Sequence, residues 1–229
     1  MRLILDTANL KDITYFNRYY PIEGVTTNPS ILAKEGGDVL KLLYRIREII
    51  GQEKELHVQV METESENMVE EAKLIVDALG KNTFVKIPVT DEGLLATRQL
   101  SSEGYGITVT AILSAAQAML AANSGAAYVA PYVSRLENLC DDGVGCVADI
   151  AKVFAASETK TQILAASFKT VRQVLDVATV GCHAATVGSD VMRALLRHTT
   201  TDSSIKGFAD DWAAAFGTQT LREILLQKK

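Results

Sequence analysis

Eight short runs rich in β-forming residues recur along the 229-residue chain at intervals of roughly 20 to 35 residues, with segments of helical periodicity between them. Eight strands, each followed by a helix, are the repeat of a (β/α)8 TIM barrel. An open doubly wound sheet shares this alternation, but no GxGxxG follows the first run and no switch point is apparent. The spacing therefore favours the closed barrel. The predicted strands are residues 3–6, 24–28, 56–61, 84–89, 107–112, 128–133, 163–168 and 185–189.

The segments between these runs carry the start and stop signals of helices. Residues 65–79 place apolar side chains at helical spacing, and Ser65 is positioned to cap the first turn. Thr170 is placed in the same way before the helix that follows the seventh run. Glycine is the residue most often found just after a helix, because it adopts positive φ without strain. The glycines predicted to end helices are Gly80, Gly125 and Gly181.

The pattern indicates a single domain over residues 1–229, which includes a helical tail from about residue 205 to 229. This tail adds a C-terminal helix to the barrel, and Gly217 is predicted to break it. Three aromatic residues in the tail recur every four positions, so they form one apolar face that we expect to cover the barrel or a neighbouring subunit. They are Phe208, Trp212 and Phe216.

Composition narrows the classes of partner and cofactor. With 48% hydrophobic residues and a net charge of -5, the chain is typical of a globular protein and argues against nucleic acid or an anionic membrane as partner. No apolar run approaches the roughly 18 residues that span a bilayer. Three cysteines form neither a CxxC pair nor an even set, which favours a reducing, cytoplasmic location. The histidines share no ligand spacing, so no metal and no cofactor is predicted.

Polar residues appear near the C-terminal end of seven of the eight runs, where barrel enzymes place their catalytic groups. Side chains alternate between the two faces of a strand, so each polar residue predicts which of its neighbours point into the barrel. In the seventh run this places Ala165 and Ser167 inside, with Leu164 and Ala166 facing the helices. The seven polar residues are Asp6, Asn28, Gln59, Lys86, Thr110, Tyr132 and Ser167.

Lys86 lies in the middle of the apolar run TFVKIPV, where an ammonium group is costly to bury. Desolvation favours the neutral amine, which is a nucleophile that forms Schiff bases with carbonyl substrates. Alternatively, the side chain extends to water or forms an ion pair with an acid such as Asp6. The polar residues at equivalent depth on the other strands favour the catalytic interpretation.

Two further groups of residues have both a functional and an ordinary interpretation. Gln59, Thr110 and Tyr132 offer an amide, a hydroxyl and a phenol that would hold a water, or they form an ordinary polar network. Lys169 lies where the seventh run meets a helix start, a common place for phosphate to bind backbone N–H groups, and Arg135 would bind the same anion. Alternatively, both cations are solvated loop charges.

Five segments closely resemble the transaldolase family. The resemblance is strongest to the short bacterial branch of that family, which includes the fructose-6-phosphate aldolases. The similarity runs in order along essentially the whole chain, and GVTTNPS is a specific signal. It implies a (β/α)8 barrel, a sugar phosphate substrate, and a homo-oligomer, namely a decamer whose C-terminal helix packs on a neighbour. The segments are LDTAN (5–9), GVTTNPS (24–30), VKIPVT (85–90), APYVSR (130–135) and AASFKT (165–170).

The resemblance also implies a role for every candidate residue except Lys169. Lys86 corresponds to the Schiff-base lysine, and Asp6 and Asn28 to the residues that orient the substrate hydroxyls. Arg135 and Ser167 correspond to the phosphate ligands. The set that holds the catalytic water in the aldolases corresponds here to Gln59, Thr110 and Tyr132.

Two positions depart from what the resemblance leads us to expect. Typical transaldolases have a glutamate acid/base where this chain has Gln59, which leaves Tyr132 as the proton carrier. His57 stands where we expect an aromatic residue such as phenylalanine, on the same face as Gln59. The leading hypothesis is a metal-free aldolase that cleaves fructose 6-phosphate. The alternatives are a transaldolase that transfers the dihydroxyacetone unit, and a barrel that binds a sugar phosphate without chemistry.

Overall fold

The computed structural model describes residues 1–227, and within them it contains a closed barrel of eight parallel strands. Each strand pairs with the next along the chain and the eighth pairs with the first, so the ring has no open edge. The predicted fold and all eight predicted strands are confirmed, with strand ends that differ from the prediction by at most three residues. The strands are β1 (Arg2–Asp6), β2 (Ile22–Thr26), β3 (Glu55–Gln59), β4 (Thr83–Pro88), β5 (Ile107–Ile112), β6 (Tyr128–Pro131), β7 (Gln162–Ala165) and β8 (Ala184–Val187).

Helices connect successive strands, as the right-handed βαβ crossover of a parallel barrel requires. A short helix follows β6 before the longer one that leads to β7. In the described part of the chain the helices are α1 (Leu10–Tyr19), α2 (Pro29–Glu35), α3 (Val39–Ile50), α4 (Ser65–Leu79), α5 (Asp91–Ser102), α6 (Ala115–Asn123), α7 (Val133–Glu137), α8 (Gly143–Ala156), α9 (Val171–Thr179), α10 (Ser189–Leu196), α11 (Thr199–Phe216) and α12 (Leu221–Leu226).

Helix capping agrees with the sequence except at one position. Thr170 caps α9 in a capping box with Gln173, as predicted. The three predicted stop glycines all adopt positive φ: Gly80 directly follows α4, and Gly125 and Gly181 directly follow the C-cap residues of α6 and α9. The prediction that Ser65 caps α4 is wrong, because Glu64 occupies the N-cap position and Ser65 is already the first helical residue. The Ser65 backbone N–H instead donates to the Glu92 carboxylate over 2.9 Å.

The interior of the barrel follows the predicted alternation on most strands. Ile4, Phe84, Tyr128 and Leu164 pack together inside the ring, toward the N-terminal ends of the strands. Outward-facing aliphatic side chains are fully buried under the helices, and burying each contributes roughly 1.5–3 kcal/mol to stability. Examples with no exposed area are Val25, Val85, Ile87, Val109 and Val129.

On β7 the predicted alternation is wrong. Leu164 packs inside the ring with Ile4 and Tyr128, so the inward face carries Leu164 and Ala166 instead of Ala165. Ser167 nevertheless reaches the barrel mouth, because its backbone adopts a φ of 64° and leaves the strand alternation. The change of backbone region after Ala166 therefore adds a second inward position at the end of this strand.

The chain separates into two compact units, Met1–Met192 and Arg193–Lys229. In the second unit α11 ends at Phe216, and Gly217 follows it with a φ of 65°, so the predicted break is confirmed. Phe208 is 71% exposed, which leaves its apolar ring available for a partner. The prediction of a single domain over residues 1–229 stays a prediction, and the last two residues of its tail lie outside the described range.

Candidate active site

The predicted site residues converge on a cavity of about 570 Å³ at the C-terminal ends of the strands. This is the end of the barrel where the catalytic groups of TIM-barrel enzymes lie. The one predicted residue outside the cavity lining, Thr110, donates to or accepts from a lining residue, Tyr132, over 3.0 Å. The predicted residues that line the cavity are Asp6, Asn28, Gln59, Lys86, Tyr132, Arg135, Ser167 and Lys169.

Lys86 rises from the middle of β4 into this cavity and is 6% exposed. Its Nζ donates to the backbone carbonyl of Thr27, over 2.8 Å. Burial lowers the pKa of Lys86, and the nearby Asp6 carboxylate acts in the opposite direction. A carbonyl acceptor fixes the position of the nitrogen without adding a negative charge. The amine is therefore held at the barrel mouth in an environment that favours its neutral, nucleophilic form.

Asp6 is the last residue of β1 and lines the same cavity, close enough to Lys86 for the two charges to attract each other. Burial raises the pKa of Asp6, against the attraction of Lys86 and a hydrogen bond from the Thr26 hydroxyl. That hydroxyl donates to Asp6 Oδ1 over 2.7 Å and also contacts the hydroxyl of Thr186. Asp6 is thus a positioned carboxylate whose basicity is increased, which suits a group that accepts a proton during bond cleavage.

Asn28 has a structural bond as well as a place in the cavity. Its side-chain oxygen caps α2 by accepting from the Ile31 backbone N–H, over 2.9 Å. With the oxygen occupied by the helix, the amide N–H groups are the part of the side chain left for a ligand. Asn28 can therefore donate to substrate hydroxyl oxygens from a fixed position.

The residues predicted to hold a water come from three places around the barrel mouth: Gln59 from β3, Thr110 from β5, and Tyr132 from the residue after β6. The phenol of Tyr132 and the hydroxyl of Thr110 are hydrogen-bonded, and Gln59 lines the same cavity from β3. The set flanks Lys86, because Gln59 is its register partner on β3 and Thr110 lies on β5, the strand on the other side of β4. The arrangement offers a phenol that can exchange a proton and an amide that can only donate or accept hydrogen bonds.

The predicted anion site lies on the β6 and β7 side of the cavity. Arg135, on α7, stacks over the Tyr132 ring with its guanidinium carbon 5.2 Å from the ring centroid. The predicted role for backbone N–H groups at the start of α9 is wrong for two of them. The Gln173 side chain already accepts from the N–H groups of Lys169 and Thr170, over 2.7 and 3.1 Å. These two N–H groups are therefore already used within the protein.

Sequence reasoning missed three threonines in the network around Lys86 and Asp6, namely Thr26, Thr27 and Thr186. The TTN tripeptide at the end of β2 was the available signal, because it places two more polar residues beside Asn28. Lys34 and Asp190 also line the cavity and were not predicted. Both follow their strands by several residues, so strand-end counting does not reach them.

His57 lies inside the ring, on the Gln59 face as predicted, but belongs to a separate polar network. Its Nδ1 is 2.9 Å from the Thr108 hydroxyl, its Nε2 is 3.3 Å from Glu55, and its ring stacks on Phe84. Burial acts to raise the pKa of Glu55, but hydrogen bonds from His57, Tyr128 and Arg2 together lower it to about 2. Burial also lowers the pKa of His57, against the Glu55 carboxylate, which acts to raise it.

Neither a cluster of metal ligands nor a membrane-spanning helix is present among residues 1–227. Among residues 1–227, no three histidine, cysteine, aspartate or glutamate side chains lie together as metal ligands would. The metal-free prediction stays a prediction. Over the same range, none of the helices combines the length and apolar character that crossing a bilayer requires.

Two solved structures share the fold at low sequence identity. One is a mandelate oxidase variant with 4-Br-2-hydroxy-methylphenylacetate, which gives a TM-score of 0.57 and 11% identity over 84% of this chain and 67% of that one. The other is a mandelate oxidase mutant with a monooxide FMN adduct, with the same TM-score and identity over 84% and 66%. At this identity the likeness supports the barrel alone.

Sequence comparisons identify the family. A curated relative, called a probable transaldolase, from Symbiobacterium thermophilum, is 41% identical over 217 residues that cover 95% of this chain and 99% of the relative. The family model for transaldolase/fructose-6-phosphate aldolase matches residues 3–227. The chain therefore belongs to the transaldolase/fructose-6-phosphate aldolase family, whose members are sugar-phosphate enzymes of the Schiff-base class.

Proposed function

We propose that this protein is a metal-independent class I aldolase that interconverts fructose 6-phosphate with dihydroxyacetone and glyceraldehyde 3-phosphate. The observation that carries the proposal is the buried Lys86 amine, which is held at the cavity by a carbonyl and lies close enough to Asp6 for their charges to interact. A neutral amine and an adjacent carboxylate are the two groups that Schiff-base cleavage of a ketose needs.

The reaction begins at the ketone carbon of the open-chain sugar. Lys86 Nζ attacks C2, and loss of water from the resulting carbinolamine gives a protonated imine. Asn28 and Asp6 orient the hydroxyl groups beside the reacting bond. The phosphate at the other end of the substrate binds Arg135, Ser167 and Lys169 on the β6 and β7 side.

Bond cleavage follows from the positive charge on the imine. Asp6 accepts the proton of the C4 hydroxyl, and the electron pair of that O–H bond forms the second C4–O bond of the aldehyde. The electrons of the C3–C4 bond move toward the imine and give a neutral enamine on Lys86. Because burial raises the pKa of Asp6, this carboxylate is a stronger base than one in water.

The fate of the enamine separates an aldolase from a transaldolase. In the aldolase, Tyr132 delivers a proton to C3 through a water, and a second water then hydrolyses the imine to release dihydroxyacetone. The hydrogen bond between Thr110 and Tyr132 fixes the phenol at the cavity that Gln59 also lines. Because Gln59 is an amide and does not exchange protons near neutral pH, Tyr132 carries the proton.

The decisive experiment measures fructose 6-phosphate cleavage by the purified enzyme with and without erythrose 4-phosphate as acceptor. We expect release of glyceraldehyde 3-phosphate without acceptor at a rate that the acceptor increases by less than about tenfold. Cleavage that occurs only when the acceptor is present would refute the aldolase assignment. A chelator in both assays tests the metal-free part of the proposal, since the rate should not change.

A transaldolase is the second candidate, and the name of the 41% identical relative, probable transaldolase, favours it. Such an enzyme would keep the enamine on Lys86 and pass it to an aldose phosphate. The acceptor-dependence experiment separates the two candidates, because a transferase leaves the enamine unprotonated between its substrates.

We also infer that the protein acts in the cytoplasm as a homo-oligomer, with a decamer expected from the family resemblance. The exposed Phe208 and Phe216 of α11 support an interface on this helix. Light scattering of the native protein would test the assembly, and a monomer would contradict it.

A further inference from the structure

Arg135 and Tyr132 form a contact that joins the predicted phosphate site to the predicted proton carrier. The guanidinium carbon of Arg135 lies 5.2 Å from the centroid of the Tyr132 ring. The phenol of the same ring is hydrogen-bonded to Thr110, over 3.0 Å. Both residues line the cavity that contains Lys86. One side chain therefore lies within reach of the substrate phosphate and of the aromatic ring that would move the proton.

The backbone holds these two residues in place. Tyr132 forms a β-bridge with Ala166, and the Tyr132 N–H donates to the Ile112 carbonyl over 3.0 Å. The next turn is tied to β7, because the Ser134 N–H donates to the Ser167 carbonyl over 2.8 Å. Arg135 is thus carried on a helix anchored to the same strand end that supplies Ser167.

A cation over an aromatic ring stabilises negative charge that develops on that ring. A phenol gains such charge while it gives up its proton, so Arg135 favours proton delivery by Tyr132. A bound phosphate carries roughly two negative charges near neutral pH and would cancel the guanidinium charge. Proton delivery is therefore easier when the anion site is empty than when it is filled.

We propose that Arg135 is a positioning residue that couples occupancy of the phosphate site to proton delivery by Tyr132. This rests on the proposed function. While the aldehyde phosphate is still bound, its charge suppresses protonation of the enamine, so the carbon–carbon bond can re-form. After the aldehyde phosphate has left, the uncompensated guanidinium favours transfer of the phenol proton to C3 through the water. The phenolate regains a proton from the water that hydrolyses the imine.

The coupling can be measured without any aldehyde. With dihydroxyacetone alone, the enzyme should form the imine and exchange the hydrogens next to the carbonyl with deuterium from D₂O. Both directions of that exchange pass through a negatively charged phenol oxygen, so Arg135 accelerates it. We expect inorganic phosphate to slow exchange at saturating dihydroxyacetone by about two- to fivefold, the range for an exposed cation on a ring. Borohydride trapping of Lys86 should be unchanged.

Two variants distinguish the coupling from a general effect of phosphate. Arg135→Gln should exchange about two- to fivefold more slowly than the wild type and should not respond to phosphate. Lys169→Met is the matched control, because Lys169 also lines the cavity as a cation. It should need more phosphate but reach the same maximal slowing, since Arg135 remains on the ring.

Each result has a defined meaning. Slowing that is present in the wild type and Lys169→Met and absent in Arg135→Gln supports the coupling. Three results would overturn the coupling. Phosphate could leave the rate at saturating dihydroxyacetone unchanged, it could still slow exchange in Arg135→Gln, or it could act only by competing with dihydroxyacetone. If the wild type traps no dihydroxyacetone and exchanges no hydrogen, the proposed function itself fails. Exchange that is insensitive to phosphate refutes the coupling alone.

Discussion

Replacing Asp6 by asparagine separates the two chemical steps assigned to this site. Asparagine keeps the shape of the side chain and an oxygen that can accept the 2.7 Å hydrogen bond from Thr26. It loses the ability to take up a proton from the C4 hydroxyl. A positioned proton transfer contributes about 10²–10⁴-fold to a rate, so we expect cleavage of fructose 6-phosphate to fall by that factor. Lys86 should still form the imine.

The same change has a predictable effect on pH dependence. Asp6 acts to raise the pKa of Lys86, so its removal should lower that pKa further. The amine reacts in its neutral form, which is populated above its pKa. Trapping of dihydroxyacetone by Asp6→Asn should therefore extend to lower pH than trapping by the wild type.

The assay combines borohydride trapping with steady-state cleavage across the same pH range. Its control is thermal unfolding, where the retained Thr26 bond should keep the change in stability below about 1 kcal/mol. Cleavage within threefold of the wild type would refute the assignment of Asp6 as base. Loss of trapping in a folded variant would show that Asp6 acts earlier than we infer.

Three further changes test the rest of the site and the network beneath it. Gln59→Glu supplies a second acid/base and should raise the ratio of transfer to hydrolysis, measured with erythrose 4-phosphate; an unchanged ratio would contradict the role of the amide. Tyr132→Phe should lower acceptor-free cleavage by about 10²–10⁴-fold while transfer to an acceptor falls less, and equal losses in both assays would exclude the phenol as the specific proton carrier. Glu55→Gln removes a carboxyl whose pKa falls from 4.5 to about 2 in the fold, a difference worth about 3 kcal/mol. This stabilisation is present above about pH 4.5 and is lost as the pH falls toward 2. The free energy of unfolding of the variant, measured with denaturant, should therefore depend less on pH over that interval. The same pH dependence in variant and wild type would refute the stabilising role of Glu55.

The barrel and most of the residues at its mouth could be predicted, because the direction of a side chain on a strand depends only on its position along that strand. Alternation along β4 is sufficient to place Lys86 inside the ring, and the polar residues at the other strand ends then face it. Alternation fails on β7, where Ser167 takes a positive φ that a strand pattern does not encode. The predicted Ser65 cap is also wrong, because the helix begins one residue earlier than its sequence signal indicates: Glu64 is the N-cap and Ser65 is the first helical residue.

Contacts between distant segments could not be predicted in this way. The Gln173 side chain occupies backbone N–H groups that the sequence left open for phosphate. Arg47, 4% exposed, donates to the carbonyls of Gly51, Lys54 and Asn82, which no local pattern indicates. The stacking of Arg135 on Tyr132 could not be predicted either. Two side chains three positions apart can take many relative orientations, and only some of them bring a guanidinium over a ring.

The most direct test is to treat the enzyme with borohydride in the presence of dihydroxyacetone and to locate the modified residue by peptide mass spectrometry. We expect one stable adduct, on Lys86, that is absent from a folded Lys86→Met variant. An adduct on another lysine, or a wild-type enzyme that cleaves fructose 6-phosphate without forming any adduct, would contradict it.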